Sequence, residues 1–459
     1  MSSQSPGGGL SMADLSKLMQ QIDLQQVVKL SQKVDLGELM SMVASMDAGT
    51  LAKMKAFAAA KKAPPVLPEP DGDVYDFAAL LTDEQRAVVA QVRQFMEETV
   101  EPRINAFWQR DETPRDLLIE GIKASGVMDA MFDARGRRRR DQLLLDGFLT
   151  MEVSRIDVST STFIGVHTGL AMWSIELCGS EAQKDEWLPA MKNWDQIGCF
   201  GLTEPKTGSG VAGGLRTTCK REGDTWVLNG EKKWIGNSTF ADVAVIWARD
   251  LDDNQVKGFL VRCKENPGYA VEKIEGKTAL RAVENGLITL TDCHVPESDR
   301  LQEANSFEDT AEVLAVTRIG VAWGAVGCAQ GAYEKAVRYA QTRKQFGQPI
   351  AKFQLIQRLL AEMQANVVQM QAMCTRLAQL QLEGRMTDAQ ASLAKMACAK
   401  RCRETVAMAR ELFGGNGILL EHHVARYFAD AEAIYSYEGT NEVNQLIVGR
   451  AATGFSAFV

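Results

Sequence analysis

Histidine is almost missing from this chain: four residues in 459, at positions 167, 294, 422 and 423. A His-rich metal site has little to build from. The adjacent pair His422-His423 also lacks the i,i+4 spacing that sets two ligands on one helix face, so no metal is expected. Aromatic residues are scarce at 7%, and no Cys-x-x-Cys pair occurs. The nine cysteines, at 178, 199, 219, 263, 293, 328, 374, 398 and 402, are odd in number and scattered. They argue against a disulfide framework or a zinc ribbon and for a reducing compartment. No continuous apolar run approaches the roughly 20 residues of a membrane span. The opening Met-Ser-Ser-Gln-Ser-Pro-Gly-Gly-Gly has neither a basic nor an apolar signal segment, and Asp14 and Asp23 fit a transit peptide badly. A cytoplasmic protein is the simplest expectation. Positive charge is in deficit, with 51 Lys and Arg against 59 Asp and Glu and a net charge of −8. That balance argues against non-specific nucleic-acid binding and against a polybasic membrane anchor.

What is present fits a globular chain of about three domains, at roughly 150 residues each. Residues 1–72 read as an appended helical module. Leu15, Leu18, Met19 and Ile22 recur at helical spacing, and a Pro-rich linker closes the module at 61–72. Residues 73–198 read as helices. Thr82-Asp83-Glu84-Gln85 forms a capping-box start, and amphipathic runs follow at 83–108, 114–125, 141–155, 160–178 and 181–193. From 199 to 304 the apolar period falls to two, and Asn229-Gly230 suggests a hairpin turn. Residues 305–459 return to long helical runs at 308–342, 353–383 and 388–412. The expected class is α+β, with an antiparallel barrel or sandwich between two helical blocks.

Five segments stand out. They are Tyr437-Glu438-Gly439-Thr440-Asn441-Glu442 with Gly449-Arg450; Cys199-Phe-Gly-Leu202-Thr203-Glu204-Pro205 running to Gly208-Ser209-Gly210; Trp234-Ile235-Gly236; Arg343-Lys-Gln-Phe346-Gly with Gln354; and Phe413-Gly414-Gly415-Asn416-Gly417. Taken singly, each has a bland reading as a solvent loop, an inter-domain connection, a core Trp, an exposed Arg or a helix-ending turn. Their chemistry is suggestive all the same. A Gly-rich loop presents backbone N–H groups, a Trp can lie against a planar ring, and an Arg fork suits a diphosphate. Chance agreement of all five, in this order, is very small.

From Leu81 to the C-terminus the chain resembles the acyl-CoA dehydrogenase family. The segments at 199–205 and 437–454 are similar to its glutaryl-CoA dehydrogenase branch. The resemblance implies an N-terminal helical domain, a middle antiparallel β-barrel and a C-terminal four-helix domain, with FAD as cofactor. It implies Glu438 as the base that removes an α-proton from an acyl-CoA while the flavin takes the β-hydride. It places Leu202, Thr203, Trp234, Ile235 and Gly236 at the flavin. Arg343, Phe346, Gln354, Gly414 and Gly415 fall at a dinucleotide site shared between subunits, and Thr440 and Glu442 just past the base. Ser161, Thr162, Ser209, Arg318 and Gly439 fall beside the thioester. A shared cofactor site implies a homo-oligomer, usually a tetramer, and electron transfer flavoprotein is the implied acceptor.

The chain also departs from that pattern. Gly236 stands where Thr or Ser is usual, Gly210 replaces a common Asp, and Glu411 a common Gln. Ser161 falls where the glutaryl branch carries the Arg that pairs with a distal carboxylate. An unpaired buried carboxylate is costly, so a neutral short or medium acyl chain is expected. The run Arg135-Gly-Arg137-Arg138-Arg139-Arg140 reads as a solvated loop or as a contact to phosphate, nucleic acid or an acidic partner. Two other readings of the whole chain are an acyl-CoA oxidase using O2 and a flavin-bound protein that binds nucleic acid or a partner.

Overall fold

The computed structural model describes residues 66–457 together with Ser45, Asp47, Gly49, Thr50, Ala52 and Lys53. The chain divides into two compact units, Met1–Pro68 and Glu69–Val459. In the first, Asp47 Oδ1 accepts from the backbone N–H groups of Gly49 and Thr50, both at 2.9 Å, ahead of helical residues. The rest of the expected helical module lies outside the described residues, apart from 66–72, which hold no helix.

The second unit starts with α1 (Asp83–Phe95), at the capping box read from the sequence. Gln85 N donates to Thr82 Oγ1 at 3.2 Å, and Thr82 N donates to Gln85 Oε1 at 2.9 Å. A π-helical turn, Met96–Val100, joins it to α2 (Glu101–Arg110). Then come α3 (Arg115–Ala124), α4 (Leu143–Ile156), α5 (Val158–Ile164), α6 (Met172–Cys178) and α7 (Glu181–Lys192). A second π-helical segment, Gly165–Ala171, separates α5 from α6. Helix α4 is buried on nearly all sides from Leu145 to Ile156, as a helix apolar all round must be. Its two buried charges are paired: Arg155 Nε lies 2.9 Å from Glu152 and Nη1 2.9 Å from Glu334.

The middle of the unit is a curled seven-stranded sheet. Its strands are β1 (Gly198–Gly201), β2 (Thr218–Glu222), β3 (Thr225–Gly236), β4 (Val243–Asp250), β5 (Val256–Arg262), β6 (Tyr269–Lys273) and β7 (Asn285–Pro296). They run in the order β1-β4-β2-β3-β7-β6, with β5 also on β4. The sheet is mixed, not wholly antiparallel, because β1 and the start of β2 pair with β4 in parallel. Strand β4 separates two cores. Val243, Val245 and Trp247 face the helices, while Ala244, Ile246 and Ala248 face the interior of the sheet. The expected Asn229-Gly230 turn is absent. Those residues lie inside β3 at a register shift against β7. The two-residue hairpin loop is Gly223-Asp224, where Gly223 takes a φ of 65°. Both Gly dipeptides look alike in sequence. Gly230 is instead required by close approach, since a Cβ there would sit 2.6 Å from the Cα of Thr217.

Five helices close the unit: α8 (Phe307–Thr342), α9 (Gln354–Leu382), α10 (Asp388–Phe413), α11 (Val424–Ser436) and α12 (Asn441–Thr453). Although no long unbroken apolar run was read there, α8 is long and apolar enough to cross a bilayer by length and composition, and over half of its most apolar stretch is buried inside the protein. It packs tightly on α4. A Cβ on Gly327 or Gly331 would lie 2.1 Å from Met151 O or 2.0 Å from Arg155 O. The first and last helical blocks are tied by Arg426 of α11, which pairs with Asp157 at the start of α5, both fully buried.

Candidate active site

Glu438 sits in the tight turn between α11 and α12. It adopts a φ of 53°, and Gly439 after it one of 84°. A left-handed backbone is uncommon for Glu and carries strain of about 1–3 kcal/mol, so its surroundings must hold it there. They do so from three sides. Lys395 of α10, fully buried, donates from Nζ to Tyr435 O at 3.0 Å and Gly439 O at 2.7 Å, carbonyls on either side of the glutamate. Asn444 Nδ2 donates to Gly439 O at 2.9 Å and Thr440 O at 3.0 Å. Thr440 caps α12 by accepting from Val443 N at 3.3 Å.

The carboxylate points into a cavity of about 200 Å³. Glu438 Oε1 accepts from Thr317 Oγ1 of α8 at 3.2 Å, while Oε2 is buried and has no hydrogen-bond partner. Burial pushes the carboxyl above its usual pKa. The charge of Arg318, the Thr317 hydroxyl and Lys395 pull against that shift without cancelling it. Burial in turn lowers the Lys395 ammonium to about 8. Ser161 and Thr162 of α5, Tyr437 and Thr168 line the same cavity.

The other residues singled out in the sequence fall in separate places. Leu202 and Thr203 follow β1 and are anchored by a buried pair. Lys232 Nζ lies 3.1 Å from Leu202 O and 2.9 Å from Glu204, and Lys233 N donates to Thr203 O at 2.8 Å. Burial alone would raise Glu204, but Lys232 and the Thr217 N–H hold it below its usual value. At the end of β3, Trp234 has a φ of 67° and is 54% exposed, next to buried Ile235. A Cβ on Gly236 would meet Val166 at 3.1 Å. Ser209 is exposed in the loop before β2. Arg343 and Phe346 lie exposed between α8 and α9, and Gln354 is exposed at the first position of α9. Gly414 and Gly415 lie exposed after α10, and the two segments are joined by Tyr339 stacked on Phe413 at 4.0 Å. Neither segment lines the cavity. Glu442 is exposed in the first turn of α12. Arg318 is buried, and its guanidinium is held by Asp388 and by Ser392 Oγ at 3.1 Å, so it reaches Glu438 only through its field.

Thr317 and Lys395 were not singled out in the sequence. Lys395 left one signal: it lies on the apolar face of α10, four residues after Ala391 and three before Cys398. The arginine run is largely committed to internal pairs. Arg137 lies 2.9 Å from Asp185 and 3.1 Å from Glu181. Arg138 is buried, bonded to Asp146 and to Thr168 O, both at 2.8 Å. The run is therefore not simply the solvated loop expected: Arg138 is buried, and Arg137 is tied to acidic side chains of α7.

A strained, half-buried glutamate with one buried carboxylate oxygen, over an apolar cavity between the first helical block and the closing helices, defines a class. The chain belongs to the acyl-CoA dehydrogenase family. Family models match residues 82–195 (acyl-CoA dehydrogenase, N-terminal domain), 199–293 (middle domain) and 307–453 (C-terminal domain). Among curated relatives it is similar to the short-chain specific acyl-CoA dehydrogenase, mitochondrial, of Mus musculus. The two are 36% identical over 301 residues, 65% of this chain and 73% of the relative. Among solved structures it is similar to a glutaryl-CoA dehydrogenase from Mycobacterium smegmatis in complex with FADH2. There the identity is 33% and the TM-score 0.79, covering 84% of this chain and 99% of that one. It is also similar to a chain of the structure described as "Electron transferring flavoprotein of Acidaminococcus fermentans: Towards a mechanism of flavin-based electron bifurcation". That match has 29% identity and a TM-score of 0.77, covering 81% and 98%. The chain is therefore an FAD-dependent oxidoreductase of the acyl-CoA dehydrogenase type.

Proposed function

We propose that Glu438 takes the α-proton of a neutral acyl-CoA thioester, which leaves as the trans-2-enoyl-CoA. The single observation that carries this is the buried, unpartnered Oε2 of Glu438 at the wall of a largely apolar cavity. An α-C–H beside a thioester is a very weak acid, so the base must be dry, aimed and raised in pKa. FAD, when bound, supplies the hydride acceptor. Thr317 fixes one oxygen of the base and leaves the other for the proton. The backbone N–H of Glu438 is the donor we assign to the charge that develops on the thioester oxygen.

The remaining residues fit FAD by their placement. Trp234, a large aromatic left half-exposed beside buried Ile235, offers a face for the flavin ring, with Leu202, Thr203 and bare Gly236 near it. Arg343, Phe346, Gln354, Gly414 and Gly415 form an exposed set away from the cavity, which suits the dinucleotide of a neighbouring copy in a homotetramer. Thr440 and Glu442 are assigned to FAD past the base, and Gly439 and Ser209 to the thioester and its CoA. Arg318, already paired, is assigned an electrostatic part. The nine free thiols are in keeping with a cytoplasmic location.

Ser161 lines the cavity and brings no charge to it. Glutaryl-CoA is therefore expected to react more slowly than neutral thioesters of similar length, with no CO2 released. Anaerobic mixing of the purified yellow protein with acyl-CoAs, with the enoyl product and CO2 both assayed, checks this. Efficient CO2 release from glutaryl-CoA would refute the neutral-substrate assignment, and the lack of enoyl product from every thioester would refute the base. Electron transfer flavoprotein is the acceptor we propose, supported by the Acidaminococcus likeness. Hydrogen peroxide formed one-for-one with enoyl product in air would replace it with O2.

A further inference from the structure

The cavity holding the Glu438 carboxylate does not stop at the turn that carries it. Its wall continues through Thr317, Gly320 and Gly324 of α8 and Gly169 of the π-helical segment. The same lining includes Phe95, Met96, Ile122, Met128 and Met131 of the first helical block. Thr317 to Gly324 alone is two turns of helix, about 10 Å. The glycines of α8 serve two different ends. Gly327 and Gly331 are demanded by packing, since α4 leaves no room for a Cβ. At Gly320 and Gly169 a Cβ would meet nothing within 4 Å. Neither glycine is at positive φ, so neither is required by the backbone. In mid-helix Gly320 costs about 1 kcal/mol against Ala. What its lack of a side chain leaves open is the space in front of the base. The one charged pair along the wall, Arg138 and Asp146, is bonded to itself at 2.8 Å, so the passage presents no free charge to an occupant.

We infer that this enzyme is built for an apolar acyl chain of medium length or longer, and that the open positions Gly320 and Gly169 set that length. The inference rests on Glu438 as base, because a thioester with its α-carbon at that carboxylate has this apolar lining to receive its acyl chain. It departs from the short-chain specificity in the description of the mouse relative. Each further buried methylene tightens binding roughly four-fold.

The test separates the inference from the reading it rests on. S-butyl-CoA and S-octyl-CoA are thioethers that cannot react, and calorimetry on the FAD-loaded protein gives their Kd values. The octyl compound is expected to bind at least about ten-fold more tightly. Gly320→Val should shrink that ratio several-fold, with the far-ultraviolet spectrum and flavin content confirming a folded protein. Anaerobic flavin bleaching by butyryl-CoA and octanoyl-CoA is measured alongside. Bleaching with equal or tighter binding of the butyl compound overturns the inference and leaves the base standing. Octyl preference without bleaching by any thioester upholds the passage and overturns the base. An octyl preference that Gly320→Val leaves unmoved removes Gly320 as the length gauge.

Discussion

Glu438→Gln is expected to slow thioester-dependent flavin bleaching by about 10²–10⁴-fold, the usual contribution of a positioned general base. The substitution keeps the shape of the side chain and its contact with Thr317 Oγ1. FAD should remain bound, since none of the residues assigned to it is changed and the variant keeps the size and shape of the side chain. The wild-type pH profile carries the same test. Burial raises the Glu438 pKa, so a fraction of the enzyme is protonated and idle at pH values where an ordinary glutamate is fully ionised. Rate should rise with pH through that raised pKa and then level, and the Gln variant should lose this acid limb. This is a statement about the active protonation state, read from single-turnover bleaching across pH. A Gln variant that bleaches at the parent rate would remove the base, and with it the reason for the strained turn.

That turn also shows what could be read in the sequence and what could not. The helices α1, α8, α9 and α10 were legible from apolar spacing, and Thr82 with Gln85 marked the first of them to the residue. Strands β3 and β7 were legible from period two, because one face of each meets a core, and β4 from its continuous apolar run, because both of its faces do. The Asn229-Gly230 bulge was misread because a Gly that is needed for close approach and a Gly that is needed for a turn have the same local sequence. The π-helical segments at 96–100 and 165–171 carry no periodicity of their own. Glu438 itself was found through a motif. A positive φ on a glutamate is dictated by distant partners, not by its neighbours in the chain. Those partners, Lys395 and Thr317, sit on helices whose sequences look ordinary until the helices are packed together. The passage behind the base is less legible still: nothing in the sequence distinguishes Gly320 from Gly327.

Lys395→Met should lower kcat by about 10²-fold, a cost that a misplacement of about 1 Å in a reacting group can impose. Lys395 is a positioning residue with two roles, and the variant removes both. First, its Nζ bridges Tyr435 O and Gly439 O across the strained glutamate. Without it, Asn444 still holds Gly439 O, but the Tyr435 side of the turn loses this donor, and the aim of the carboxylate loosens. Second, its positive charge favours the ionised form of Glu438. Removing a cation near a carboxylate raises the carboxylate pKa, so the acid limb of the pH profile should move to higher pH in Lys395→Met. A residue that merely supported the fold would lower the melting temperature and leave that limb where it was. The two effects are separable: kcat at high pH, where Glu438 is ionised in both proteins, reports the loosened turn, and the limb reports the lost charge. Binding of the unreactive octyl thioether should change little, because Lys395 does not line the cavity. A variant with an unmoved acid limb and parental kcat at high pH would show that α10 contributes only packing to the base.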